Sequence, residues 1–344
     1  MKAAYATGPG QLELREVPRP APGTGEVIVR VRNCGICGSD LHWFHGGFPP
    51  PYVCPGHEIS GEVLELGTGV QRLRPGDRVV VEPLIACREC SYCRTGDYQL
   101  CKELRLLGTS AEGGFAEFLR MPEYALFALP AELDWEVGAL AEPLAVCVHA
   151  VRVANVRLGD RVLVLGAGTI GLLAVVAARA AGAGEVVITA RYPHQQAAAR
   201  ALGAKVFDTT SGGTAALGAY AQENALDVVI ETVGGSADTL NEAVQLVRPG
   251  GMVSVLGVFS GPVACSGLLL LLKEVRIVGS LTYGRCGTRA DFEIALDLLS
   301  AQRDRLRALI THRVALADIA AGFTAAADKK SGAIKVTVTP EATT

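Results

Sequence analysis

The sequence lacks any block of like charge. Its 32 Lys and Arg are interspersed with 35 Asp and Glu, for a formal net charge of −3 over 344 residues. With no basic stripe or single-sign tail, nothing offers electrostatic attraction to nucleic acid or to an anionic membrane surface. The opening residues MKAAYATGPGQLEL contain no apolar core of a secretory leader, so the expected compartment is the cytoplasm. A membrane span is missing too. Residues 162–181 carry three glycines at turn spacing, and the apolar stretch 247–272 is broken by two prolines and several glycines. Internal repeats and low-complexity tracts are absent.

What is present is enough chain for about two domains, each with its own core. There are also ten cysteines, which in a reducing compartment read as metal ligands or buried thiols rather than disulfides. The rest of the chain is organised around residues 161–191, RVLVLGAGTIGLLAVVAARAAGAGEVVITAR. The β-branched run 162–165 reads as a buried parallel strand that turns through Gly166, Gly168 and Gly171 into a helix expected over 170–181. The first glycine permits the tight turn, the second lets backbone approach a pyrophosphate, and the third lets the helix pack close on the strand. The helix start, with Thr169 and Ile170, then faces the phosphates with free N–H groups and the positive end of its dipole. A second strand at 185–189 arrives about twenty residues after the turn, as a dinucleotide-binding fingerprint requires.

The end of that second strand bears on the cofactor. An Asp or Glu there hydrogen-bonds the adenosine ribose of NAD, whereas a 2′-phosphate is repelled by a carboxylate and favours Arg. The chain reads Thr189, Ala190, Arg191, and Ala190 falls where the acid would be. A neutral residue followed by Arg191, with His194 and Arg200 as lesser cations, argues for NADP(H) over NAD(H). The blander reading makes Arg191 a solvated loop residue.

Residues 1–150 hold short alternating apolar runs punctuated by Pro and Gly, the pattern of an antiparallel, mostly β domain. Inside it Cys87, Cys90, Cys93 and Cys101 are spaced C-x2-C-x2-C-x7-C. Four thiolates this close can form a closed tetrahedral shell around zinc that leaves no position for substrate, so the expected role is structural. Glu89, Asp97 and Glu103 beside Arg88, Arg94 and Lys102 give this lobe no basic surface for nucleic acid. A second, dispersed set comprises Cys37 in GICGSD, His57 and Glu58 in PGHE, and Glu142 in AEPLAV. Three protein ligands with room for water or substrate is the pattern of a catalytic zinc. A single His or Cys on an apolar background is more often a packed core residue, but together and beside a dinucleotide fold these motifs make a coherent hydride-transfer site.

In order along the chain run GICGSDLH at 35–42, PGHE at 55–58, GDRVVVEP at 76–83, the four-cysteine lobe, GGFAE at 113–117, EP at 142–143, GAGTIG at 166–171 and GAIKVTV at 332–338. With this series the chain resembles, over essentially its whole length, the zinc-containing medium-chain alcohol dehydrogenases, in the branch of polyol (sorbitol), 2,3-butanediol and threonine dehydrogenases. The resemblance implies an α/β fold with a doubly wound parallel-sheet Rossmann domain at 151–289 and a mostly β, GroES-like catalytic domain at 1–150. Residues 290–344 would pack back onto the catalytic domain, and substrate would lie in the cleft. Cys37 and His57 are implied as zinc ligands, with Glu58 or Glu142 completing the shell directly or through water. One thiolate and one carboxylate leave bound Zn²⁺ neutral overall. A second carboxylate would make the site anionic, so no more than one should be tightly bound while substrate occupies the metal. Asp40 matches the acid that orients the zinc histidine, Ser39 the hydroxyl that takes the substrate proton, and His42 the relay histidine of some members. The resemblance further implies about two zinc ions per chain, one catalytic and one structural. It also implies a homodimer or homotetramer whose dimer interface is the edge of the Rossmann sheet.

Past Gly171 the alternation continues, with strands expected at 226–231, 252–256 and 275–279, helices at 237–247 and 291–299, and another strand starting at 202–204. Strand ends of this kind meet the cofactor crevice, which makes Thr232, Val233, Gly257 and Leu281 candidate cofactor neighbours. Trp43, Phe44, Phe48 and Phe115 lie near the metal motifs and either wall a substrate pocket or belong to the core. Thr282 stands where polyol members carry a basic residue before the tyrosine matching Tyr283, which sets the chain apart from the sorbitol-specific ones. The expected activity is hydride transfer between a secondary alcohol or polyol and NADP. The rivals are an NADPH-dependent ketone or aldehyde reductase, an NAD-linked threonine-type dehydrogenase, and a non-catalytic NADP-binding scaffold, which would have no need of an open metal site.

Overall fold

The computed structural model describes residues 1–210 and 213–340, apart from the side chain of Cys286. The chain divides into two compact units, one formed by Met1–Glu142 with Gly284–Thr344 and the other by Pro143–Tyr283.

The second unit is built on six parallel strands in the order Lys205–Asp208, Glu185–Ala190, Arg161–Leu165, Val228–Glu231, Met252–Val255, Arg276–Gly279. Both faces of the central strands are covered, which is why they read as unbroken apolar runs: Val162, Leu163 and Val164 are wholly buried. The strand order reverses between Arg161–Leu165 and Val228–Glu231, and at such a switch point the strand ends open into a ligand crevice. The chain leaves Arg161–Leu165 through Gly166, whose φ of 98° only glycine adopts cheaply, and enters the helix Thr169–Ala180. Gly171 is sterically required, because a Cβ there would lie 1.9 Å from the Gly166 carbonyl oxygen. The strand expected at 202–204 is not there. Gly203 and Ala204 instead donate to Arg200 and Ala199 carbonyls, ending the helix Pro193–Ala201, and the strand begins at Lys205. Likewise the helix expected at 237–247 is Thr239–Leu246, since the positive φ of Gly234 and Gly235 keeps the preceding segment in a turn.

The first unit carries a seven-stranded sheet in the order Ile310–Ala315, Lys335–Thr339, Glu26–Gly35, Glu58–Leu66, Arg78–Val81, Leu126–Ala128, with Phe118–Pro122 also paired to Glu26–Gly35. Two of these strands come from the last 35 residues of the sequence. Thr337 pairs with Gly35 and Val338 with Cys34, and the Ile36 N–H donates to the Val336 carbonyl at 2.9 Å. Between those strands the helix Ile319–Ala327 lays Phe323 on the core formed by Val29, Val31, Ile59, Phe115 and Val338. The end of the chain thus completes the sheet that bears the metal motifs. No helix of the described residues is long and apolar enough to cross a membrane.

Candidate active site

Strand register brings the dispersed donors together. Gly35, the last residue of Glu26–Gly35, pairs with Glu58, the first of Glu58–Leu66. His57 immediately before one strand and Cys37 just after the other therefore meet at one end of the sheet. Ligand atoms of Cys37, His57 and Glu58 lie within 4.8 Å of one another. Cys37 also caps the helix Gly38–Phe44, and its N–H donates to the Asp40 carboxylate at 2.9 Å. The second Asp40 oxygen lies 4.0 Å from His57 Nδ1, beyond hydrogen-bond reach but close enough to act by charge. Burial alone would lower the proton affinity of His57, yet the thiolate of Cys37, then Asp40 and Glu142, raise it well above the usual imidazole range. A potential that holds a proton on a buried imidazole would also favour a dication, so the donor set suits a metal in charge as well as ligand type.

Ser39 and His42 are three residues apart on the same short helix and share its face. Ser39 is exposed and His42 half-buried, its edge packed on Phe48 with ring centroids 5.4 Å apart. Burial, then the neighbouring His45, lowers the His42 pKa, which keeps the ring neutral and able to accept a proton near pH 7. Glu142 lies in the first turn of the helix Ala141–Val153 and is 6% exposed. It is near enough to influence His57 by charge but stands outside the 4.8 Å cluster. Trp43 and Phe115 do not wall a pocket. They are buried against Phe323, at 5.2 and 5.7 Å between centroids, because the returning helix offers an apolar surface that water does not.

The four-cysteine lobe also fits a metal. Tetrahedral zinc with ~2.3 Å bonds to sulfur sets sulfurs ~3.8 Å apart. Cys87 and Cys93 sulfurs are 3.9 Å apart and those of Cys90 and Cys93 3.5 Å, with Cys101 in the same cluster. Backbone N–H groups of Cys87, Cys90 and Glu103 donate to these sulfurs, favouring thiolates. Such donors, foremost the Cys93 backbone, pull the Cys90 thiol down to about 6.

In the second unit Gly166, Gly168, Thr169, Ile170 and Gly171 form the turn and first helical residues, whose N–H groups have no carbonyl within the helix to bond. The Gly166 N–H donates to Thr189 at 2.8 Å and the Thr232 hydroxyl to the Leu165 carbonyl at 2.7 Å, tying three strand ends together. Val233, half exposed, borders Gly166, while Gly257 abuts Gly234. Leu281 follows the edge strand and is 56% exposed. Ala190 is buried at its strand end, and Arg191 follows it, exposed, its guanidinium 5.8 Å from the Tyr192 ring centre. The nearest acid in register, Asp208 opposite Ala190, is engaged by the Thr210 N–H and hydroxyl.

One residue escaped the sequence reading altogether. Lys335, 2% exposed, donates to both Glu58 oxygens at 2.7 and 2.6 Å and to the Ile36 carbonyl at 3.0 Å. Burial alone would lower its pKa, but Glu58 and Cys37 raise it overall. A lysine opening a strand that reads KVTVT gave no sign of being inside.

A sheet of switch-point topology in one unit and an open donor set in the other define a metal-type, nucleotide-dependent dehydrogenase. Residues 23–131 match the family described as alcohol dehydrogenase GroES-like domain, and residues 169–301 the family described as zinc-binding dehydrogenase. A sorbitol dehydrogenase of Halalkalibacterium halodurans is 35% identical over 99% of both chains. Among solved structures, a zinc-binding dehydrogenase of Sinorhizobium meliloti bound to NADP matches at 34% identity, with a TM-score of 0.85, over 98% of this chain and 99% of the other. An alcohol dehydrogenase of Escherichia coli CFT073 complexed with NADH matches at 28% identity, with a TM-score of 0.89 over the same shares. The chain belongs to the zinc-containing medium-chain alcohol dehydrogenase family, in its polyol branch, and is an alcohol or polyol dehydrogenase acting on small molecules.

Proposed function

We propose that this dehydrogenase depends on zinc and moves hydride between a secondary alcohol or polyol and NADP(H) in preference to NAD(H). The observation that carries the proposal is the cluster of Cys37, His57 and Glu58 ligand atoms within 4.8 Å, in a chain whose other unit presents a dinucleotide crevice. When bound, zinc would polarise the substrate oxygen and NADP would take up hydride. Cys37 and His57 would hold the metal, with one carboxylate or water completing the shell. Asp40 fixes the start of the helix through the Cys37 N–H, and so fixes the line of Ser39 and His42. Ser39 would accept the substrate proton and His42, neutral in its half-buried site, would pass it outward. Cys87, Cys90, Cys93 and Cys101 would hold a second, structural zinc.

The NADP preference is supported by Ala190 and Arg191 and by the engagement of Asp208 elsewhere. A homodimer is supported by the second unit's edge strand Arg276–Gly279 and the helix just before it, where Leu268, Leu271 and Leu272 are 65, 74 and 68% exposed. The test is a kcat/KM screen of diols, polyols, amino alcohols and secondary alcohols with each cofactor, alongside metal analysis. NADP-linked turnover, about two zincs per chain, and a dead Cys37→Ser variant that keeps its fold are expected. A strong NAD preference removes the cofactor assignment, and activity retained in Cys37→Ser removes the mechanism.

A further inference from the structure

Glu231 is an acid that no step above uses. It ends the strand Val228–Glu231, across the switch point from Ala190 and Arg191, and is wholly buried. A carboxyl group in such a place is costly unless hydrogen bonds replace its water. Its Oε1 accepts the Val233 N–H at 2.8 Å, the Gly234 N–H at 3.0 Å and the Thr239 hydroxyl at 2.7 Å. Those donors span the loop 232–238 and the first residue of the helix Thr239–Leu246. The other oxygen, which has no hydrogen-bond partner among the described residues, lies against the next loop, where a Cβ on Gly257 would stand 2.2 Å from it. The Glu231 backbone carbonyl accepts the Leu256 and Gly257 N–H groups at 2.9 and 3.1 Å. Farther out the two loops bond directly, Gly235 N–H to the Val258 carbonyl at 2.8 Å and Ser260 N–H to the Gly235 carbonyl at 3.1 Å. The approach is close enough that a Cβ on Gly234 would come within 2.6 Å of the Val258 backbone.

In this topology the strand ending at Ala190 serves the adenosine ribose, so the loops across the switch point serve the nicotinamide half. Resting on the cofactor reading above, we propose that Glu231 is a positioning residue that clasps the loops 232–238 and 256–261 into one wall for the nicotinamide half of the dinucleotide, while the adenosine half is held without it. Without the clasp the loops must be ordered when the nicotinamide arrives, and that cost is taken from its binding alone.

The experiment compares the full-length wild type with three variants. Glu231→Met keeps the bulk but accepts no hydrogen bond, Glu231→Gln keeps one oxygen to accept, and Thr239→Val removes one donor. Calorimetry gives dissociation constants for NADP and for adenosine 2′,5′-bisphosphate, its adenosine half, and amide hydrogen exchange is followed in the cofactor-free protein. Glu231→Met should weaken NADP about ten- to a hundredfold and leave the bisphosphate within about threefold. Amides of Val233, Gly235 and Ser260 should exchange faster together, while those of Val162, Leu163 and Val164 stay protected. Glu231→Gln should bind NADP within about threefold of wild type, and Thr239→Val should fall between the two. Unchanged NADP binding in Glu231→Met overturns the proposal, as does a Glu231→Gln variant as weak as Glu231→Met. Equal weakening of NADP and the bisphosphate also overturns it, since that would mean Glu231 only supports the fold of its unit. Thr239→Val decides the matter where Glu231→Met fails to fold, because the same split between the two ligands is required of it. A wild type that takes NAD and 5′-AMP instead would correct the 2′-phosphate assignment alone, and the split measured with that pair would then decide on Glu231.

Discussion

Phe323 offers the sharpest check on how the returning segment supports the site. Its ring is wholly buried and stands 5.2 Å from Trp43, 5.1 Å from Phe44 and 5.7 Å from Phe115, centre to centre. Truncating a buried phenylalanine to alanine costs about 3–5 kcal/mol, the spread reflecting how far the surroundings collapse. Three aromatic pairs at about 0.5–1.5 kcal/mol each fall in a similar range. Little collapse is open to this helix, because at the neighbouring Gly322 even a Cβ would come within 2.8 Å of Val314 and 3.3 Å of Ile36. Phe323→Ala should therefore cost about 4 kcal/mol, and Phe323→Leu, which keeps most of the volume, less than half of that. Both tryptophans, Trp43 and Trp135, lie in the first unit, so their fluorescence reports its unfolding apart from the other. With an m-value of about 2 kcal/mol/M, the urea midpoint for Phe323→Ala should fall by about 2 M. A loss below about 1 kcal/mol at unchanged m would refute the reasoning and mean that the helix rests on the core without being needed by it.

Arg191→Ala should raise the KM for NADP at least tenfold while leaving that for NAD nearly unchanged; equal effects on both would place Arg191 outside the 2′-phosphate site. Gly171→Ala forces its new Cβ to 1.9 Å from the Gly166 carbonyl, so both cofactors should bind poorly while zinc content stays as in wild type; normal cofactor KM values would contradict the turn geometry. Burial raises the Glu82 carboxyl to about 7 even though the Tyr98 hydroxyl donates to it. A folded pKa above the unfolded 4.5 means stability fully present below that value and lost as pH climbs through 7, on the order of 3 kcal/mol by pH 8. Glu82→Gln should flatten that slope, and urea midpoints at pH 5 and 8 that move in parallel for the two proteins would dismiss the idea. Cys90→Ser should lower thermal stability and zinc content by about one ion, and a variant as stable as wild type would argue against a structural metal there.

The parts of the fold that could be read in the sequence are those whose causes are local. The Gly166–Gly171 turn is specified by residues that touch one another, and the four thiols of the lobe are gathered within fifteen residues. Where the reading went astray, the cause was a choice between near-equal local options, as at 202–204, where backbone bonds to Ala199 and Arg200 extend a helix end through residues that could equally have opened a strand. The aromatics at 43 and 115 were ambiguous because nothing nearby in sequence says which side of them is covered. Phe323 covers them from some two hundred residues away or more. Lys335 was hidden for the same reason and more completely: a cation beginning an alternating strand reads as a solvated end until its partner, 277 residues earlier, is in view. A burial pattern of period two says which residues share a face, but not whether a distant segment has closed over that face. What remained illegible is therefore the layer supplied by chain return, and in this protein that layer brings Phe323 onto the aromatic core and Lys335 onto the Glu58 carboxylate.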